Sequence, residues 1–238
     1  MHENADETGL DPEEQLRREW ELFRSVETGS PGHLYRCWQV SRPVVVVGRS
    51  SAIDAHVIRE TCAEDSVRVL RRFSGGGAVV LGPGCLNYAV VLSLVSWPEL
   101  ANVSASFHII LGRIVGALGI PGLSAAGGTD LVLGGRKVSG NAQRRGRRAL
   151  IHHGTLLCGF DPGLAARYLR EPVRQPAYRA ARRHTEFMGN LPLSGELVRA
   201  RLETAFRNSI SLSVRQVADD DKRRAWRVPI GAGTGTYA

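Results

Sequence analysis

The chain has 238 residues, 43% hydrophobic and 23% charged, enough for one principal domain around a substantial apolar core. No apolar run approaches the roughly 18 residues of a membrane helix, and the acidic, polar start at Met1, His2 and Glu3 lacks the basic and apolar segments of a secretory signal. A soluble, cytoplasmic protein without a membrane partner is therefore expected, and four scattered cysteines (Cys37, Cys62, Cys85, Cys158) argue against a zinc cage or a disulfide framework.

Residues 1 to about 12 read as a disordered acidic segment, and residues 13–215 as one catalytic-domain-sized unit. Leu16, Trp20, Leu22, Phe23 and Val26 recur at helical spacing from Pro12 to Val26. Beyond the turn at 29–32, the run Val44-Val45-Val46-Val47 predicts a buried strand stopped by Gly48. A short helix is expected over 54–63. Strands then follow at Val67 to Arg72, Ala78 to Leu81 and Leu86 to Leu94, with the glycines and Pro83 between them giving hairpin-like spacing. Phe107, Ile110, Leu111, Ile114, Val115 and Leu118 mark one buried face of a helix over 104–118, with Ser104 as its expected N-cap. Further strands are predicted at 130–133, 136–139 and 149–158, and helices at 162–169 and 194–206. Residues 216–238 read as a tail without a full accessory domain. Runs of strands with few helices predict an α+β fold, a mixed and mainly antiparallel sheet packed with helices.

The charge is unevenly spread. Residues 1–30 carry nine acidic and three basic side chains, leaving +14 for the rest, and 136–183 holds twelve Lys or Arg against Asp161 and Glu171 alone. Such a field attracts an anionic partner, whether nucleic acid, nucleotide or acidic protein.

Three segments carry candidate chemistry. In Arg71-Arg72-Phe73-Ser74-Gly75-Gly76-Gly77-Ala78-Val79-Val80, three glycines allow close backbone approach to an anion and the guanidinium groups offer forks for phosphate; the competing reading is a plain hairpin turn beside a solvated arginine pair. In Asp130-Leu131-Val132-Leu133-Gly134-Gly135-Arg136-Lys137-Val138-Ser139-Gly140, two strands join at a Gly-Gly turn, and simple alternation puts Lys137 and Ser139 on one face. Lys137 is then either a solvated edge residue or an ammonium aimed at a carboxylate and a phosphate together. In the strand from Ala149 to Leu157, His152 and His153 face opposite ways and so would not readily share a metal ion; one of them is expected to pack or hydrogen-bond under the site.

Together, Arg-Arg-x-Ser-Gly-Gly-Gly-Ala-Val at 71–79, Leu86-Asn87-Tyr88, Asp130-Leu131, Gly135-Arg136-Lys137-Val138-Ser139-Gly140 with Ala142-Gln143, and His152-His153-Gly154-Thr155-Leu156-Leu157 resemble the lipoate-protein ligase A family. A weaker echo lies at Gln175-Pro176-Ala177-Tyr178-Arg179-Ala180, and the resemblance spans roughly residues 30–210. It implies the biotin/lipoate ligase catalytic fold, of the class II synthetase-like kind. The implied reaction uses ATP, with Mg²⁺ carried on its phosphates and not held directly by the protein. It activates lipoate or octanoate to acyl-AMP, then transfers the acyl group to a lysine on a lipoyl carrier.

By the same resemblance Lys137 is the catalytic residue, bridging acyl carbonyl and phosphate. Arg72, Gly75, Gly76, Gly77, Ala78, Val79, Val80 and Asp130 join it in binding ATP and acyl-AMP, and Asn87, His153 and Gly154 line or support the acyl pocket. The partner is expected to be an acidic lipoyl domain or a glycine-cleavage H-type protein, with a separate accessory subunit as a further partner. An ATP-independent octanoyl or lipoyl transferase acting through a cysteine is the alternative, with Cys85 and Cys158 the thiols to examine. A biotin-protein ligase ranks third. The cluster Arg144-Arg145-Gly146-Arg147-Arg148 keeps nucleic-acid binding as a minority reading beside a carrier-docking surface.

Overall fold

Strand β2 (Val44–Val47) is buried along its whole length because both of its faces are covered. In the computed structural model, which describes residues 10–30 and 32–207, one face meets Leu16, Trp38 and Leu81, and the other meets Val57, Cys62, Phe160 and Tyr168. Two neighbours complete a small sheet: β3 (Val69–Arg71) runs parallel to β2 on one side and β4 (Ala78–Leu81) antiparallel on the other. The hairpin-like spacing expected for these strands is thereby corrected. β3 and β4 do not pair; the segment between them passes over the end of β2. Spacing limits loop length, whereas an all-valine strand buried on both faces takes the centre of a sheet and forces its neighbours apart.

Strand β5 (Cys85–Ser93) leaves for a larger, six-stranded antiparallel sheet. Its order is β1 (His33–Trp38), β5, β9 (Ala149–Leu157), β8 (Arg136–Arg145), β7 (Asp130–Leu133) and β6 (Ser124–Ala126). Helices α3 (Val103–Leu118) and α6 (Gly195–Arg207) cover one face, packing Ile110, Ile114, Val198, Leu202 and Phe206 on Leu86, Tyr88, Val90, Leu150 and Leu156. Helix α1 (Pro12–Glu27) covers the other, with Phe23 and Val26 on Ala89, Val91, Ala149 and Ile151. The result is the expected α+β fold, mainly antiparallel, with one parallel strand pair. No helix among the described residues is long and apolar enough to cross a membrane.

Local chemistry sets the ends of these elements. Asp11 caps α1 by accepting from the Glu13 amide at 2.9 Å, followed by Pro12 and two glutamates in the first turn. At α3 the cap is Asn102 and not Ser104: its Oδ1 accepts from the Ala105 amide at 2.9 Å, one turn ahead of the first apolar contact. The helix expected over 54–63 divides into a 3₁₀ turn (Ile53–Ala55) and α2 (Arg59–Glu64), because Val57 leaves the helical path to bury fully and bridge to Leu169. The helix expected over 162–169 is α4 (Pro162–Tyr168), and the structure adds strands β1 and β6 and the short helix α5 (His184–Phe187). The expected tail at 216–238 and most of the expected N-terminal segment lie outside the described residues.

The arginine cluster at 144–148 is divided by the fold. The Arg145 guanidinium donates to Leu100 O, to Ala101 O (2.9 Å), to Ser106 Oγ (3.1 Å) and to Gln143 Oε1 (3.1 Å), tying β8 to the start of α3. The Glu27 carboxylate accepts from the amides of Arg147, Arg148 and Ala149. Of the four arginines only Arg147 and Arg148 are exposed.

Candidate active site

The glycine loop takes its shape from the residues around it. Arg72 is buried at 8% exposure and spends its guanidinium on backbone: Nη2 donates to Gly75 O (2.7 Å) and Gly77 O (3.2 Å), and Nη1 to Val46 O (3.3 Å). Arg49 N donates to Ser74 O, Ser51 Oγ to Gly76 O and Gly48 N to Gly77 O. Every carbonyl from Ser74 to Gly77 is therefore turned inward. The amide hydrogens of Gly75, Gly76 and Gly77 take no protein acceptor among the described residues, and these three glycines are exposed. Outward amides beside inward carbonyls make a concave anion-binding surface. Gly48 permits the packing: a Cβ there would lie 1.8 Å from Gly76 O. Arg71 is exposed, with Nη1 donating to the carbonyls of Gly48, Arg49 and Ser51.

Lys137 is re-aimed by a β-bulge. Leu131 pairs with Ser139 but the next residue, Val132, pairs with Lys137, so Val138 is the extra residue. Cross-strand partners share a face, which puts Lys137 with Val132, Asp130 and Gly140, and Ser139 with Leu131 on the opposite one. The alternation expected from sequence, Lys137 beside Ser139, is thus corrected. Its Nζ lies 2.8 Å from Asp130 Oδ1, and its side chain is 28% exposed against 9% for Asp130. Asp130 Oδ2 accepts a 2.6 Å bond from Tyr178 Oη, and the Thr129 hydroxyl approaches Oδ1 at 3.3 Å. Burial, followed by the Asp130 charge, raises the Tyr178 hydroxyl well above the usual phenol range and keeps it a donor.

Where β9 ends, Met188 bridges to Lys137 and Gly189 N donates to Lys137 O. Met188 packs into the same apolar cluster as Ala78 and Val80, which links the lysine strand to the strand leaving the glycine loop. Val79 packs on the other side of that strand, toward α1.

The two histidines do face opposite ways. His152 is fully buried between Tyr88, Phe107 and Gln143, and burial, then neighbouring His153, pushes its imidazole down to about 3. His153 turns toward α1, with Nε2 at 2.6 Å from Ser74 Oγ and Nδ1 at 2.5 Å from Glu19 Oε2. Asn87 is buried in β5 and donates to Trp38 O. Gly154 faces Asn141, whose Oδ1 would lie 2.0 Å from a Cβ there; Asn141 in turn accepts from Tyr88 Oη and donates to Thr129 O.

Burial holds the thiols in their neutral form: Cys37 and Cys85 are pushed up to about 12, Cys158 to about 11, and Cys62 also upward. No group of three or more His, Cys, Asp or Glu side chains is placed to hold a metal ion among the described residues.

Three residues of this region, Glu19, Ser74 and Tyr178, were not singled out as site residues by sequence reasoning. Glu19 had a signal, since it falls on the Leu16–Phe23–Val26 stripe of α1, where a carboxylate must find a buried partner. Tyr178 lay within the weaker motif at 175–180, and its bond to Asp130 depends on a long-range fold-back that spacing cannot report.

Solved structures share this architecture. Protein Ta0514 of T. acidophilum, with bound lipoic acid, superposes with a TM-score of 0.70 at 18% identity, covering 91% of this chain and 92% of that one. A bi-partite lipoate protein ligase of Thermoplasma acidophilum, described with its E2 lipoyl domain, gives 0.69 at 19% identity over 88% and 87%. Lipoate-protein ligase A bound with ATP gives 0.68 at 20% identity over 88% of each chain. The model of the lipoyl protein ligase A/B catalytic domain matches residues 11–206, and the chain belongs to that family.

Proposed function

We propose that the chain is a lipoate-protein ligase that activates lipoate or octanoate with ATP and passes the acyl group to a lysine of a lipoyl carrier domain. The observation that carries this reading is the Lys137 ammonium, turned by the bulge onto the Asp130 face and left partly exposed. Forming an acyl-adenylate brings a carboxylate against a phosphate, and fixed positive charge there offsets their repulsion. A carboxylate oxygen attacks the α-phosphorus, and the bond to pyrophosphate breaks. The carrier amine then attacks the acyl carbonyl, AMP departs with the bonding electron pair, and the amine proton is lost.

In this reading Lys137 spans carboxylate and α-phosphate, exchanging part of its contact with Asp130 for the substrates. The amides of Gly75, Gly76 and Gly77 receive phosphate oxygens. Arg72 acts through the loop it holds, while Ala78, Val79 and Val80 form the strand beside the acyl chain. Asn87, His153 and Gly154 support the floor. Mg²⁺ arrives on the polyphosphate, where it neutralises charge.

The carrier is an acidic lipoyl domain or H-type protein, drawn by exposed Arg147, Arg148, Arg170, Arg174 and Arg183. A separate accessory subunit fits the bi-partite organisation of the T. acidophilum ligase. The cysteine transferase is less favoured, since burial opposes the thiolate at all four cysteines. A biotin ligase and a nucleic-acid binder rank below it.

Lipoate-dependent exchange of pyrophosphate into ATP tests the proposal, with octanoate and biotin as comparators. Exchange that disappears in Lys137→Ala is expected. No exchange with any acid would reject autonomous adenylation by this chain.

A further inference from the structure

A buried hydrogen-bond chain runs from helix α1 to the glycine loop. Trp38 Nε1 donates to Glu19 Oε1 at 2.8 Å, His153 Nδ1 lies 2.5 Å from Glu19 Oε2, Ser74 Oγ lies 2.6 Å from His153 Nε2, and Arg72 Nε donates to Ser74 Oγ at 3.1 Å. Ser74 is wholly buried, Glu19 is 1% exposed and His153 7%. Donor-only groups at both ends fix the direction of every proton between them. Arg72 occupies the Ser74 oxygen as a donor, so the hydroxyl proton goes to His153 Nε2. That nitrogen is then an acceptor, the imidazole proton sits on Nδ1, and Nδ1 donates to Glu19. Were both imidazole nitrogens protonated, Ser74 would receive two donors and its own proton would have no acceptor among the described residues, at the cost of an unmade bond.

We propose that Glu19 is a positioning residue for the anion-binding loop, acting through His153 and Ser74. It touches neither substrate nor reacting atoms. Its carboxylate selects the imidazole tautomer that accepts from Ser74; Ser74 then receives Arg72, and Arg72 draws in the carbonyls of Gly75 and Gly77. The amide hydrogens of the loop face outward as a consequence. The same carboxylate is a buried negative charge that partly offsets burial at the Arg72 guanidinium, which burial nonetheless pushes down to about 10. Helix α1 contributes to nucleotide binding by this route, although it lies on the far side of β5 and β9 from the α3 and α6 layer.

Glu19→Gln tests the direction of the chain. The amide is nearly isosteric, but it meets Trp38 and His153 with one acceptor and one donor end. Trp38 can only donate, so it claims the amide oxygen, and the NH₂ group is turned on His153. The imidazole is driven to the other tautomer, and the Ser74 proton is displaced. The proposal rests on the ATP-using reading, so two independent measurements are made on the full chain. One is pyrophosphate exchange, with KM determined separately for ATP and for lipoate. The other is backbone hydrogen–deuterium exchange across 72–78, which requires no activity.

Glu19→Gln and Ser74→Ala are each expected to raise KM for ATP about tenfold, to change KM for lipoate less than about twofold, and to speed exchange at Gly75 to Gly77. Glu21→Gln, exposed on the same helix, serves as the unchanged control. The proposal is overturned if Glu19→Gln lowers thermal stability while KM for ATP and loop exchange stay at wild-type values. Equal increases in both KM values overturn it too. If the wild type catalyses no pyrophosphate exchange, autonomous adenylation by this chain is rejected, and the hydrogen-exchange comparison still decides whether Glu19 holds the loop.

Discussion

Lys137 Nζ and Asp130 Oδ1 lie 2.8 Å apart because Val138 is an extra residue in β8, which turns the lysine onto the face of its β7 partner. Without the bulge the ammonium would lie on the Ser139 side of the sheet. Asp130 therefore aims the lysine, and its removal should matter more for reaction than for folding. Asp130→Asn is expected to lower kcat/KM for adenylation by about ten- to a hundredfold. Its denaturation midpoint should stay close to wild type. Equal kcat/KM in the two proteins would remove Asp130 from the machinery.

Gly140 tests the path of the lysine. A Cβ at 140 would stand 2.9 Å from both Cε and Nζ of Lys137, inside van der Waals contact, but against the far end of a flexible side chain. Gly140→Ala should displace the ammonium at a stability cost below about 1 kcal/mol, while adenylation falls about tenfold. A fully active Gly140→Ala variant would count against a role for the Lys137 ammonium on this path over the strand.

Tyr178 brings a residue 48 positions away onto Asp130. Tyr178→Phe keeps the ring packed on Phe187, 5.2 Å between centroids, and removes only the hydroxyl that satisfies Asp130 Oδ2. The carboxylate is then free to hold Lys137 more tightly, so kcat should fall about three- to tenfold with a small change in stability. Steady-state kcat beside the thermal midpoint decides it: a lower midpoint with unchanged kcat would reduce Tyr178 to a packing residue.

The elements with strong local signals were legible in the sequence. The four valines of β2, the capped stripe of α1 and the apolar face of α3 lie close to where periodicity puts them, because burial of one face is what selected those residues. What escaped is non-local. β1 lacks β-branched residues and β6 has only three small ones, so both are strands by virtue of the edges they complete. The order β3-β2-β4 follows from burial of β2 on both faces, which spacing cannot encode, and a bulge leaves no mark in a two-residue alternation. The site was legible as motifs but not as geometry. Arg72 stood out as a phosphate fork, while the fold turns its donors onto the loop's own carbonyls.

The cysteine alternative makes a separate forecast. A transferase needs a thiolate near neutral pH, yet Cys85 is pushed up to about 12 and Cys158 to about 11, chiefly by burial. The double variant Cys85→Ala with Cys158→Ala should keep acyl transfer to a lipoyl domain within about threefold of wild type, the small loss reflecting repacking. Loss of transfer with the fold intact by circular dichroism would restore the thioester route.

His152 ties stability to pH chiefly through burial, with neighbouring His153 adding to the effect. Its imidazole, fully enclosed, is pushed down to about 3, whereas in the unfolded chain it protonates near its ordinary value of about 6.5. Below that ordinary value the unfolded state binds a proton that the folded state refuses, so stability falls as pH drops. The slope from this one group is about 1.4 kcal/mol per pH unit, and it flattens once the folded-state value is reached. His152→Gln leaves the carboxylates as they were and deletes this term. Denaturant unfolding at pH 7, 6 and 5 should therefore show wild type losing about 2 kcal/mol more than the variant by pH 5. Parallel curves would mean that the histidine takes up its proton without unfolding, and that the Tyr88–Gln143 pocket opens to admit water.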